Sequence, residues 1–299
     1  MNNLKSKFYN WLNTTLHSPF DSLEDKFKFE DKLENLKFSN NFELSEYKIK
    51  SADNSDLRYL YFSRPANTKL KFLIHGSGSN FYKRDRSLFL LEKGFNVLLV
   101  SYRGHSGNAW SRCEEPLGYG QLNFDEFIVN LDMVPDGEHL QDAIIDDVYR
   151  VFLDSKSRFN FNSESIFIEG SSLGGSIALH LLNRFTQEFR GESIASLLLK
   201  STPIDLLTGQ ETILKKEFQE FDIDFHETLP LVKNSWNQRD ILNNININEL
   251  KLVHGDQDDV VPLSHFEEFE EILKELKPEK IIVPGEAHAG FDLSKYGIY

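Results

Sequence analysis

The chain has 299 residues, 40% of them hydrophobic and 27% charged, with 25 phenylalanines, which is ample material for a large apolar core. A formal net charge of −14 argues against a polyanionic partner such as nucleic acid and favours solubility. Cys113 is the only cysteine, so no internal disulfide can form and a cytoplasmic location is the simplest expectation.

Residues 1–43 are rich in Lys, Asn, Asp, Glu and Phe and carry helical spacing. Leu4, Phe8, Trp11, Leu12 and Leu16 fall on one helix face, Ser18-Pro19 breaks the pattern, and Ser22 with Asp25 resembles a capping pair for a second helix. Asn10, Asn13 and Thr14 interrupt what would have to be the apolar stretch of a signal peptide. No run of 18 apolar residues occurs, so no membrane-spanning segment is expected. The segment is expected to be an N-terminal helical extension that docks on the body, self-associates or meets another surface.

From residue 44 the pattern changes. Residues 44–50 and 57–63 read as a hairpin across Asp53-Asn54-Ser55. Short aliphatic runs follow at 71–74, 97–100, 166–168, 197–199, 251–253 and 281–283, each bounded by Gly, Ser, Asp or Pro, as in strands covered on both faces. Helical patterns lie between them at about 82–93, 138–157, 173–188 and 264–277. This alternation predicts a mostly parallel sheet flanked by helices, with its active site beyond the carboxyl ends of the strands. The stretches 105–139 and 201–248 are long for connections. The second reads as a small lid whose aromatic side chains, Trp236 among them, either roof an apolar pocket or anchor the insert to the body.

After the strand 165–169 comes Gly170-Ser171-Ser172-Leu173-Gly174-Gly175, then a helical run. A G-x-S-x-G between strand and helix marks a turn so sharp that its flanks must be small. It lifts the serine clear of the sheet, and the helix N-terminus favours negative charge beside it. Ser172 is therefore the candidate nucleophile, against a tight turn with a spectator serine. Serine needs a base, and among nine histidines only His288 lies in a loop directly after the last predicted strand. His75 and His254 end strands, His265 falls within a helix, and His17, His105, His139, His180 and His226 have no such placement.

The run His254-Gly-Asp-Gln-Asp-Asp-Val-Val-Pro262 offers three carboxylates to orient that base. Asp258 is the first choice, with Asp259 and Asp256 behind it, and the competing role is capping of the helix that starts near Pro262. An oxyanion hole needs backbone N–H donors. Leu173 follows the nucleophile, and Ser77 in His75-Gly-Ser-Gly-Ser79 is the expected second, with Gly76 or Gly78 as fallback. That loop lacks the lysine of a phosphate-binding loop.

Together His75-Gly76-Ser77-Gly78, Tyr102-Arg103-Gly104, Gly170–Gly175, Gly255–Pro262 and His288 resemble the α/β-hydrolase superfamily over about residues 44–299, in its order Ser–Asp–His. The family pattern H-G-x-x-D-x-x-V-P falls on His254–Pro262 and selects Asp258. The resemblance is closest to the small-lidded esterase, thioesterase and peptidase-like members. It implies an eight-stranded sheet and acyl transfer from a small-molecule substrate to water, with no metal and no cofactor. Two alternatives share these residues: an acyltransferase on the same triad, and a non-catalytic binding or scaffold protein on a hydrolase fold.

Overall fold

The computed structural model describes residues 42–54, 56–76, 84–100, 102, 140–205, 236–288 and 291–299. The expected N-terminal helices, the 105–139 stretch, the middle of the expected lid, Ser77, Gly78, Arg103, Gly104 and four histidines (His17, His105, His139 and His226) lie outside the described residues.

Eight strands form one sheet: β1 (Glu43–Lys50), β2 (Asp56–Ser63), β3 (Lys69–Ile74), β4 (Phe95–Val100), β5 (Ile166–Ser171), β6 (Ile194–Lys200), β7 (Ile247–Gly255) and β8 (Glu279–Val283). Their order is β1-β2-β4-β3-β5-β6-β7-β8. The first two strands pair antiparallel, β2 runs antiparallel to β4, and the remaining pairs are parallel. Four helices are described: α1 (Arg84–Glu92), α2 (Leu140–Arg158), α3 (Leu173–Glu188) and α4 (Leu263–Ile272). The expected eight-stranded, mostly parallel sheet with flanking helices is therefore present. The hairpin turns at Asn54, whose φ of 70° lies in the left-handed region that Asn tolerates.

The burial patterns follow from position. Edge strand β1 alternates between exposed and half-buried residues, whereas β4 and β6 are buried throughout. In β3 and β4, Phe72, Ile74, Leu98 and Val100 face a core shared with Val148 and Phe152 of α2 and Leu181 and Phe185 of α3. Their neighbours Leu73, Val97 and Leu99 point the other way, against Leu90 and Leu91 of α1. A period of two along strands that are covered on both faces makes each strand aliphatic end to end. The helical pattern expected to reach residue 277 ends sooner: α4 stops at Ile272 and a 3₁₀ turn at Lys274–Leu276 precedes Pro278, which cannot continue a helix.

Two polar features sit inside this frame. On the α1 side, Glu169 of β5 accepts from Arg86 Nε at 3.1 Å and Nη2 at 2.5 Å, with Lys71 Nζ of β3 3.6 Å away. Arg86 Nη1 also donates to the Ile298 carbonyl at 2.6 Å, so the charged group ties the C-terminal segment to the sheet. Burial pushes the Lys71 ammonium down to about 8 although Glu169 pulls it back up. On the other side, the ring of Trp236 is fully buried, edge-on to His180 of α3, and its backbone N–H reaches Gln141 Oε1 of α2 at 3.3 Å. This aromatic of the expected lid thus anchors the insert to the body.

Glu169→Gln would remove the carboxylate charge that two buried cations share, and should cost about 3–5 kcal/mol in urea unfolding, while an all-apolar replacement of Lys71, Arg86 and Glu169 should cost much less. Burial also pushes the His180 imidazole down to about 4 from 6.5. The unfolded chain takes up that proton first as pH falls, so stability from this site is complete above 6.5 and is lost down to about 4. His180→Leu should therefore lessen the acid loss over that window by up to about 3 kcal/mol, read from unfolding curves at pH 7 and 4.5. Buried His254 and His265, also pushed down, should retain their share.

Candidate active site

Ser172 occupies the sharp turn between β5 and α3 with φ 52° and ψ −124°, a backbone conformation that an L-residue holds only when its surroundings enforce it. The surroundings do so by contact. A Cβ on Gly174 would lie 2.3 Å from the Ile74 carbonyl oxygen, and one on Gly170 only 2.6 Å from Gly174 O, so the turn closes tightly against the end of β3. Gly175 likewise faces Thr202 just beyond β6, where a Cβ would come within 1.9 Å of Oγ1. The Ser172 N–H donates to the Lys200 carbonyl of β6 at 2.8 Å. The serine is thereby fixed at the carboxyl edge of the sheet with α3 starting at the next residue. That helix end presents N–H groups without intrahelical partners, starting with Leu173, and its dipole favours negative charge there.

The loop after β8 brings His288 to this serine. Its Nε2 lies 3.0 Å from Ser172 Oγ, and its Nδ1 lies 3.0 and 2.9 Å from Asp258 Oδ1 and Oδ2. An ionised carboxylate only accepts, so Nδ1 carries the proton and Nε2 is left to accept from the serine hydroxyl. The Asp258 side chain is fully buried, whereas that of His288 is 20% exposed. Burial alone would raise the Asp258 pKa; the hydrogen bond and charge of His288, with the Val261 N–H, outweigh it and hold the carboxyl below its ordinary value. Thus the structure brings together Ser172, His288 and Asp258, residues separated by 116 and 30 positions in the chain.

The other two carboxylates do something else. Asp256 is exposed and accepts from the Gly285 N–H at 2.7 Å, fixing the turn that leads to His288. Asp259 is exposed at the loop tip. The expected helix-capping role is not what these carboxylates serve: the N-cap of α4 is Pro262, and Asp258 Oδ1 instead binds the N–H groups of Val260 and Val261 at 3.0 and 2.8 Å within its own loop. His254 sits buried beneath the acid. Its Nε2 lies 2.9 Å from the Val261 carbonyl and 3.4 Å from Asp258 Oδ2, so it braces the carboxylate.

Of the expected oxyanion donors, Leu173 is at the first helical position of α3, and Ser77 lies outside the described residues. Gly76 is described and passes beside the serine: a Cβ there would sit 3.1 Å from that of Ser172. The β3 end is held by Tyr102, whose hydroxyl donates to the His75 carbonyl at 2.8 Å while its ring stacks on the His75 ring at 4.5 Å. Among the described residues, the exit of β6 meets the segment before β7, Gln238 N–H donating to Ile204 O at 2.9 Å and Arg239 to Asp205 at 2.7 Å. His265 of α4 accepts the Ile204 N–H at 3.0 Å, which explains a buried helical histidine without giving it a place at the serine. No cluster of metal-ligating side chains occurs among the described residues, and none of their helices is long and apolar enough to cross a membrane.

No family model and no curated protein matches the chain. Solved structures do. An esterase of Pyrococcus furiosus superposes with a TM-score of 0.57 at 21% identity, covering 83% of both chains. An acylaminoacyl peptidase of Pyrococcus horikoshii gives 0.58 at 18% identity, covering 87% of this chain and 39% of the peptidase. A puromycin-hydrolyzing peptidase of Mycobacterium tuberculosis gives 0.58 at 14%, over 82% and 36% of the two chains. With this strand order and these likenesses, the chain has the α/β-hydrolase fold.

The approach of the β8 loop to β7 depends on Gly255, where a Cβ would sit 2.1 Å from the Glu286 carbonyl oxygen. Gly255→Ala should force the two loops apart and lower stability by about 1–3 kcal/mol in urea titration. A stability equal to that of the unaltered protein would contradict the packing described.

Proposed function

We propose that this protein is a serine hydrolase that cleaves a carboxylic ester, or a related thioester or amide, through an acyl-enzyme. The observation that carries the reading is the continuous relay from Asp258 through His288 to Ser172 Oγ, ending on a strained turn at a helix N-terminus. On this reading His288 Nε2 takes the hydroxyl proton as Oγ attacks the acyl carbonyl, and Asp258 holds the tautomer and offsets the imidazolium charge. The developing oxyanion is met by the Leu173 N–H and a second backbone donor from the loop after β3, for which Ser77 is the candidate. His288 then returns the proton to the leaving group. A water repeats the sequence on the acyl-enzyme and frees the serine.

The likeness to an esterase over 83% of both chains, against less than 40% of each peptidase, supports an ester as the first substrate class to test. The 201–248 stretch leaves the sheet beside the turn, since Thr202 packs on Gly175, and it is the candidate for choosing the acyl group.

The reading is tested with a fluorophosphonate probe and p-nitrophenyl esters. Labelling is expected on Ser172, and Ser172→Ala and His288→Ala should each lower kcat by roughly 10⁴-fold or more, because the three groups act as a unit. Asp258→Asn should fold and lose up to about 10⁴-fold through the wrong tautomer, while Asp256→Asn and Asp259→Asn lose far less. Labelling at Ser171, or a folded Asp258→Asn with full activity, would refute the assignment.

A further inference from the structure

A lysine closes β6, one of the two strands of the sheet that are buried throughout. In β6, Ile194–Lys200, all seven residues are buried, and the last is a cation with 5% of its surface exposed. Taking an ammonium out of water is costly unless it meets strong acceptors, so the position calls for an explanation. Its main chain and its side chain each make a contact at the site. The Lys200 main-chain carbonyl accepts the N–H of Ser172 at 2.8 Å, and its Nζ donates to the carbonyl of Phe291. The ammonium also lies 4.1 Å from the centroid of the Phe291 ring, within reach of a cation–π attraction. Phe291 is three residues beyond His288 and packs in a small core with Leu198, Val253, Val283 and Leu293.

We propose that Lys200 is a positioning residue that ties the loop carrying His288 to the turn carrying Ser172. The two candidate reacting groups come from elements 116 residues apart, and their 3.0 Å separation needs both elements to be referred to one rigid point. The end of β6 is that point: its backbone is locked into the sheet by pairing with β5 and β7, Ser201 N–H donates to Val253 O at 2.9 Å, and Thr202 closes on Gly175. One residue then holds the nucleophile's turn with its carbonyl and the base's loop with its ammonium. Misplacement of reacting groups by about 1 Å can cost on the order of 100-fold in rate.

The inference rests on the triad reading above, and its test separates the two. Lys200→Met keeps the stem and removes the donor; Lys200→Gln keeps a donor too short to reach; Lys200→Arg restores the reach. Each is compared with the unaltered protein for fluorophosphonate labelling rate, ester kcat and KM, and hydrogen exchange of the peptide spanning residues 284–293. Expected for Met and Gln are a 10–100-fold fall in labelling rate and kcat, KM within about threefold, and faster exchange in 284–293 with β5 and β6 still protected. Arg should recover most of the rate. Wild-type rates in either folded variant, unchanged exchange in 284–293, or loss of folding in both Met and Gln would overturn the proposal, the last because Lys200 would then serve the fold. Failure of the unaltered protein to label would reject the triad reading instead, while the exchange comparison would still judge the brace.

Discussion

Everything at the candidate site hangs on how closely the backbone can be packed around one turn. Ser172 is held at a positive φ because β3, β5, α3 and the exit of β6 crowd it from several sides, at separations that leave no room for a Cβ on Gly170, Gly174 or Gly175. Strain of this kind costs about 1–3 kcal/mol and persists only where the surroundings over-determine the conformation. Here they are the parallel centre of the sheet, whose strands are buried on both faces. The strained serine and the aliphatic core are thus one arrangement seen at two scales.

The same crowding recurs at the neighbouring loop pair. Gly255 lets the β8 loop settle on β7, Asp256 fixes its turn, and Asp258 is desolvated beneath it with His254 below. Desolvation raises the energy of a charged carboxylate, so the site offsets it with two backbone N–H groups and the imidazole. A buried acid supplied in this way is stiff, and stiffness is what an imidazole between two partners requires. The opposite face of the sheet carries its own buried charges, Lys71, Glu169 and Arg86, which fasten the C-terminal segment to β3 and β5. Glu169 is only three residues before Ser172, yet its side chain serves the fold.

Much of this was legible in the chain itself. The run from Gly170 to Gly175 announces a strand–helix turn because only small residues fit one, and the short aliphatic strands announce a covered parallel sheet through their lack of alternation. His288 could be named because loops after successive strands open on the same edge, and Asp258 because His254–Pro262 resembles the family pattern H-G-x-x-D-x-x-V-P. The carboxylates were harder to separate. Asp256, Asp258 and Asp259 are chemically alike, and their different tasks arise from which one the loop turns inward.

Composition and spacing by themselves determined the fold class, the order of the elements and the identity of the nucleophile and base candidates, since each depends on local sterics and hydrophobic period. What only the tertiary structure decided are relations between distant residues. It turned Trp236 from a member of an expected lid into an anchor in the core, made His254 a brace for Asp258, and set Lys200 between two loops. The physical reason is that a polar or aromatic side chain has no fixed role until the chain has chosen its neighbours. Lys200 looks like an ordinary strand terminus in sequence, and becomes significant only because the carbonyl of Phe291, 91 residues later, arrives at its ammonium.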